Sequence, residues 1–409
     1  MRLLLAIACL FVGFILPALA DTRGQGDLIY VAGSTKKVCQ LTGDLDRERG
    51  QPTRSETGKR FGVTGTDLGS TFEHRGRLFF LFGDTGGRPG WRDAVAWTKS
   101  RDPAAILLDF YRDPDGKWLP PTVPGVQLGA FEVPSGGVSV RGRMYVVFTT
   151  DWSPTTYVMG RSVLAASDDD GKTWKALYDL SLTRFINVSF QMSDGWLYIF
   201  GSGRYRKSSA YVARVRPGEI TDRSRIRYLG GIGPDGQPRW TTVEGEATPL
   251  FHDDVVGEFS VTYCKPVRRY VLLYNSPNPR GIVLRSATTP WGPWSPVSVV
   301  FDPWRDGGYG HFMHIPANFK ADKSDSVEDP GRENEWGGEY GPYLISRFTT
   351  GRAGRCRIFY SMSTWNPYQV VVMQTDLALE STGAQSTIPF PTIADGSAPP
   401  PGGVRSRQR

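Results

Sequence analysis

Arg77-Leu78-Phe79-Phe80-Leu81-Phe82-Gly83-Asp84-Thr85 is a run of large apolar residues with a polar turn before it and small polar residues at its end. Four further stretches repeat that grammar: Arg143-Met144-Tyr145-Val146-Val147-Phe148-Thr149-Thr150-Asp151, Trp196-Leu197-Tyr198-Ile199-Phe200-Gly201-Ser202, Arg269-Tyr270-Val271-Leu272-Leu273-Tyr274-Asn275-Ser276 and Arg357-Ile358-Phe359-Tyr360-Ser361-Met362-Ser363-Thr364. Aromatic and β-branched residues dominate each run, and turn formers bound it, so each reads as a buried strand. A segment of smaller residues precedes each run. Another strand-like stretch follows it, at 93–100, 163–167, 210–215, 281–286 and 369–375. Units of about 50–85 residues with almost no helical periodicity between them fit radial repetition of small sheets better than a sandwich. The fold class read from this pattern is all-β: a five-bladed β-propeller of four-stranded antiparallel blades.

A second marker agrees. Ser167-Asp168-Asp169-Asp170-Gly171-Lys172-Thr173-Trp174 fits S-x-D-x-G-x-T-W, the Asp box, in which Ser and Asp cap a tight turn that needs Gly and the Trp packs between outer strands. Its aspartates are therefore read as structural. Trp291 and Trp294, in Thr289-Pro290-Trp291-Gly292-Pro293-Trp294-Ser295, are read as outer-strand packing.

The chain of 409 residues, 39% hydrophobic with 48 Gly and 30 Pro, can bury a large core and is rich in turns, which excludes disorder for most of it. Residues 1–20 carry Arg2, an apolar run and Ala18-Leu19-Ala20 ahead of Asp21, the pattern of a secretory signal peptide. No later stretch is apolar for the roughly 18 residues of a membrane helix. The expectation is a secreted or periplasmic protein with no membrane span. Residues 21–60 read as an arm that closes the ring, 61–378 as the propeller and 379–409 as a Pro-rich tail. A charged insertion at 321–335 reads as an exposed loop.

The net charge of +7 is scattered and forms no basic stripe, so nucleic acid is not an expected partner. Cys9 belongs to the leader. Cys39, Cys264 and Cys356 remain, widely spaced and without a CxxC pair, so neither a zinc site nor a disulfide scaffold is indicated; one bridge plus a spare thiol and three free thiols both stay open. No metal and no cofactor is expected, and the protein is taken as a monomer.

In an antiparallel hairpin the start of the first strand lies beside the end of the second. If the segments before the runs are innermost strands, one end of the ring gathers Asp67 with Asp84, Ser135 with Asp151, Asn187 with Ser202, Glu258 with Asn275, and Glu339 with Trp365 and Asn366. That end is rich in carboxylates. Asp67 and Asp84 lie at the start and finish of one hairpin, and two acids in different surroundings can take different protonation states. Glycoside hydrolysis needs that difference: one carboxyl protonates the leaving oxygen, and one carboxylate activates water or attacks the sugar. The plainer reading is a pair of turn-capping aspartates. In the last unit, Trp336-Gly337-Gly338-Glu339-Tyr340 and Trp365-Asn366-Pro367-Tyr368 set aromatic rings beside amides and a carboxylate, a mixture suited to the C–H faces and hydroxyls of sugars. His311 and His314 precede this unit and are further candidates for the pocket.

Gly65-Thr66-Asp67-Leu68-Gly69, Leu81-Phe82-Gly83-Asp84-Thr85 and the closing Ser363-Thr364-Trp365-Asn366-Pro367-Tyr368-Gln369-Val370-Val371-Val372-Met373 resemble glycoside hydrolase family 183, a bacterial family of endo-D-arabinanases. The likeness covers about residues 60–378, with the first and last motifs the most specific. It implies a five-bladed propeller that cleaves internal α-D-arabinofuranosidic links of arabinogalactan or lipoarabinomannan, with Asp67 and Asp84 as essential acids. Asp67 is the choice for base or nucleophile and Asp84 for its partner; Glu258 and Glu339 are alternative general acids. Asn187, Tyr340, Asn366, Tyr368 and Asp151 complete the expected substrate contacts. Two other readings stay open: a propeller that binds glycan without turnover, on Trp365, Tyr368 and Tyr340, and an exo-acting arabinofuranosidase.

Overall fold

The structure is a computed structural model that describes residues 26–129, 131–315 and 335–380. The leader and nearly all of the Pro-rich tail and of the charged insertion lie outside the described residues; Leu379, expected to open the tail, instead ends the last strand. The protein is a five-bladed β-propeller, with every strand pair antiparallel. The innermost strands are Leu68–His74 in blade I, Pro134–Val140 in blade II, Asn187–Ser193 in blade III, Phe259–Cys264 in blade IV and Glu339–Leu344 in blade V. Each packs on the next, and the fifth returns to the first, which closes the ring.

The five apolar runs are the second strands. Their side chains alternate between the two neighbouring seams. Phe79 and Leu81 face blade II, against Val146 and Phe148. Phe80 and Phe82 face blade V, against Phe359 and Val372. The other three seams are built alike: Val147 with Ile199, Phe200 with Leu272, and Leu273 with Ile358. Both faces of every second strand are thus buried, which is why these segments are apolar at every position instead of alternating. Each of these five clusters fills one seam, so the core is a set of wedges around an axis.

The small residues ahead of the runs have a matching cause. An inner strand has no sheet partner on its axial edge, and its buried amides still need acceptors. Serine hydroxyls from neighbouring blades supply them: Ser135 accepts from Val188 N, Ser189 from Val261 N, Ser260 from Leu344 N and Ser363 from Leu68 N, at 2.7–3.3 Å. A larger apolar residue at any of these positions would orphan an amide in the narrowest part of the ring.

The N-terminal arm supplies the outer edge of blade V. Leu28–Tyr30 and Lys36–Gln40 both pair with Gln369–Leu379, with Leu28 opposite Leu379 and Gln40 opposite Val371. The five blade sheets hold four to six strands, the extra ones being short pieces such as Val63–Gly65, which pairs with the far end of Arg77–Gly87, and Leu45–Asp46 with Gln51–Pro52 forms a separate two-stranded sheet. The Asp box sits where expected, between the third and fourth strands of blade II. Asp169 accepts hydrogen bonds from the Ser167 hydroxyl, both Lys172 and Thr173 amides and the Thr173 hydroxyl, and Trp174 is buried edge-on to Phe148. Cys39, Cys264 and Cys356 are all free thiols.

Candidate active site

At one end of the ring the starts of the inner strands meet the ends of the second strands. They enclose a cleft of about 320 Å³ that is lined by Asp67, Asp84, Asn187, Glu258, Glu339 and Tyr340 among others. Four of the five inner strands deliver a polar side chain here from the same position, their first residue or the one just before it: Asp67, Asn187, Glu258 and Glu339. Blade II departs from the pattern and contributes Phe131, Val133 and Met159, so one side of the cleft is apolar.

Local irregularities aim the two aspartates. The ladder shifts between Leu68 and Ser70, where Leu68 takes a left-handed φ of 63°, and Asp67 enters the axis just before that bulge. A second bulge falls between Phe82 and Thr85, releasing Asp84 from the alternation that buries its neighbours. Gly83 lies between the acids. A Cβ there would stand 2.6 Å from Asp67 Oδ1, 2.8 Å from the Leu68 side chain and 2.9 Å from that of Val133, so only glycine leaves room for the carboxyl.

Asp67 is buried. The Tyr340 hydroxyl donates to its Oδ2 at 3.0 Å, and its Oδ1 has no hydrogen-bond partner among the described residues. Burial, reinforced by the charge of Asp84, holds its pKa well above the ordinary carboxylate range; the neighbouring hydroxyls of Tyr368 and Tyr340 oppose that rise only in part. Asp84 is less enclosed and accepts from Phe131 N at 2.8 Å. Burial pushes its pKa up to about 6, against the stabilising Phe131 amide and with repulsion from Glu132 and Glu258. The two acids titrate as a pair, and the pair retains a proton that either carboxyl in water would lose.

Around them, Arg206 grips Glu258 through two bonds of 2.8 and 3.1 Å, while its guanidinium faces the Tyr340 and Tyr205 rings at 5.2 Å. Glu339 faces Arg280 at 3.3 Å; burial raises its pKa and Arg280 pulls the other way. Asn275 donates to the Glu339 carbonyl at 2.7 Å. Trp336 and Trp365 stand at the rim, 46% and 45% exposed, which is unusual for the largest apolar side chain. Tyr368 lies behind Trp365, edge to face at 5.7 Å.

Several expected contacts are elsewhere. Asp151 takes a left-handed φ of 59° and turns out to Arg161, whose Nε donates to it at 2.7 Å, so it does not reach the cleft. Asn366 is fully buried; its amide donates to the Glu335 carbonyl and its own carbonyl accepts from His314 N, so it ties loops together. His314 is buried in that same tie, and His311 is exposed in a turn. Neither histidine lines the cleft. Tyr368 lies near enough to Asp67 to oppose the rise of its pKa, but leaves the cleft wall to Trp365. Ser135 serves the blade II–III seam. Sequence reasoning missed Arg206, Tyr205, Phe131 and Met159. The signal for Arg206 is its place in the loop just beyond the third run, at the end of the blade where the other candidate residues gather; nothing marks the apolar pair. Among the described residues no three His, Cys, Asp or Glu side chains group as a metal site, and no helix is long and apolar enough to cross a membrane.

The Tyr340 hydroxyl favours the ionised form of Asp67. Tyr340→Phe is expected to move the Asp67 limb of the pH profile of kcat/KM upward by roughly one unit, the size of one hydrogen bond to a charged group. A profile that overlays the wild type would show that the hydroxyl does not tune Asp67.

Two curated relatives are notoamide biosynthesis cluster protein J of an Aspergillus species, 29% identical over 301 residues covering 63% of this chain and 77% of the relative, and protein J' of Aspergillus versicolor, 27% identical over 303 residues covering 63% and 78%. A Bacteroides ovatus protein provisionally named a hydrolase has a similar structure, with a TM-score of 0.52 at 14% identity over 78% of this chain and 87% of its own. At that identity the likeness speaks to the fold alone. Residues 53–374, from the N-terminal arm to the last strand, match the family described as a domain of unknown function, DUF4185, and the chain belongs to that family.

Proposed function

We propose that this is an exported glycoside hydrolase that cuts internal furanosidic links of a cell-wall polysaccharide, with the D-arabinan of arabinogalactan or lipoarabinomannan as substrate. The observation that carries the reading is the Asp67–Asp84 pair: two carboxyls that line one open cleft, both raised by burial, with Asp67 the more enclosed. Asp67 is the more deeply enclosed of the two, which favours it as the protonated partner and Asp84 as the carboxylate, the reverse of the choice made from strand position. Asp67 is then the donor to the leaving oxygen, and Asp84 activates water or attacks the sugar. Trp336, Trp365 and the Phe131 side offer stacking faces, and Arg206, Asn187 and Asn275 offer hydroxyl partners. The names of the two curated relatives state no reaction and no substrate. The apolar leader supports export.

The test is incubation of the protein with a panel of bacterial and plant cell-wall glycans, with products separated by chromatography. Oligosaccharides from arabinogalactan are expected, ahead of any monosaccharide. Monosaccharide appearing first would favour exo action, and calorimetric binding without product would favour a glycan-binding propeller. Activity should fall as pH drops through about 6, because the Asp84 carboxylate is then lost. An acid limb near the ordinary aspartate range would remove Asp84 from the role.

A further inference from the structure

The central cleft is not isolated. Toward blade IV it opens into a space of about 330 Å³ that shares Arg206, Glu258 and Trp336 with it. On the opposite side, between blades V and I, lies a separate groove of about 430 Å³ lined by Arg47, Trp91, Tyr368 and Gln369. Three rings join that groove to the cleft. Trp365 lines the cleft, Tyr368 follows edge-on at 5.7 Å, and Trp91 follows Tyr368 edge-on at 5.9 Å. Tyr368 therefore stands between the two spaces: its ring walls the groove, and Trp365 separates it from the cleft.

Trp91 is 56% exposed and no strand of the core covers it. It lies over Gly86, where a Cβ would come within 3.2 Å of the indole, so the backbone is shaped to let the ring lie down. The amides of Gln40 and Gln369 are spent inside the protein, donating to the Thr42, Leu45 and Thr64 carbonyls. Arg47 is different. Half-buried at the groove, it has no hydrogen-bond or ion-pair partner among the described residues. An exposed aromatic face beside a free, directional donor is the pairing that holds a sugar ring, C–H face on the indole and hydroxyls on the guanidinium.

We propose that this groove is a second glycan subsite, which seats a residue of the same polysaccharide beyond the bond being cut, with Trp91 as platform and Arg47 as hydroxyl donor. The inference rests on the glycosidase reading, and it explains how a propeller could select a long chain over a short one: the polymer runs from the cleft across Tyr368 into the groove.

The experiment compares wild type, Trp91→Ala and Arg47→Ala on purified arabinogalactan and on a 4-nitrophenyl glycoside of a short α-D-arabinofuranosyl oligosaccharide that fills the cleft alone, with calorimetry of polymer binding to Asp67→Asn and to its double variant with Trp91→Ala. Trp91→Ala is expected to raise KM for the polymer about tenfold and to weaken its binding in step, the loss of one stacked sugar, while turnover of the small glycoside stays at the wild-type rate. Polymer KM within twofold of wild type in both variants overturns the subsite. An equal loss on the small glycoside also overturns it, since the residues would then be serving the cleft or the fold. Polymer that binds, loses affinity on Trp91→Ala and yet gives no product with wild type keeps the subsite and removes the glycosidase reading. Polymer that neither binds nor is cleaved removes both.

Discussion

Asp67→Asn is expected to lower kcat on arabinogalactan by about 10³-fold or more and, at neutral pH, to raise the melting temperature; Asp84→Asn should do the same more mildly in stability. The loss follows from the roles. General acid–base groups contribute about 10²–10⁴-fold each, and a nucleophile or base with no substitute contributes more. The gain follows from the sign of the linkage. Both folded pKa values lie above the unfolded one, so the folded protein binds the proton more tightly and loses stability as pH rises from the ordinary aspartate range through about 6, for Asp84, and further for Asp67. An amide has no charge to bury and can still accept from Tyr340. A shift of roughly 2–4 °C at pH 7 that vanishes near pH 4 is the expected signature. Product time courses and melting curves at both pH values measure the two effects. Full activity in two folded variants would falsify the catalytic assignment, whereas an inactive variant of unchanged stability would leave the roles and contradict the electrostatics.

Gly83→Ala is the second large effect. The added methyl would stand 2.6 Å from Asp67 Oδ1 with Leu68 and Val133 also inside contact distance, so none of the three can yield alone. Overpacking of this kind costs about 1–3 kcal/mol, which a protein with five filled seams tolerates. Catalysis does not, because displacement of a reacting group by about 1 Å costs on the order of 10²-fold. The expected outcome is a folded protein, by circular dichroism, with kcat reduced about a hundredfold. Activity within threefold of wild type would mean that the position of Asp67 is not critical.

The blade runs were legible because each second strand is buried on both faces, and Phe79 to Phe82 need not alternate. The Asp67–Asp84 pair was legible because hairpin geometry alone brings those positions together. What failed depended on backbone details that leave no mark in residue type. Asp151 occupies the blade II equivalent of Asp84, yet a left-handed φ and Arg161 turn it away. Phe131, also left-handed at φ 76°, carries its amide to Asp84 from a loop with no pattern of its own. Arg206 reaches Glu258 across a seam, a pairing 52 residues apart in sequence. How deeply each acid is enclosed, on which the proposed division of roles rests, was likewise out of reach.

Pairing of Leu28–Tyr30 with the far end of Gln369–Leu379 makes the described polypeptide nearly a loop, its first and last strands laced to each other. The strand that receives the amino end begins at Gln369, one residue after Tyr368, and its other neighbour ends at Thr364, one residue before Trp365. Peeling of either of these strands would therefore slacken the very corner that carries the aromatic row, so the lacing of the first and last described strands and the footing of Trp365 and Tyr368 are one and the same piece of backbone.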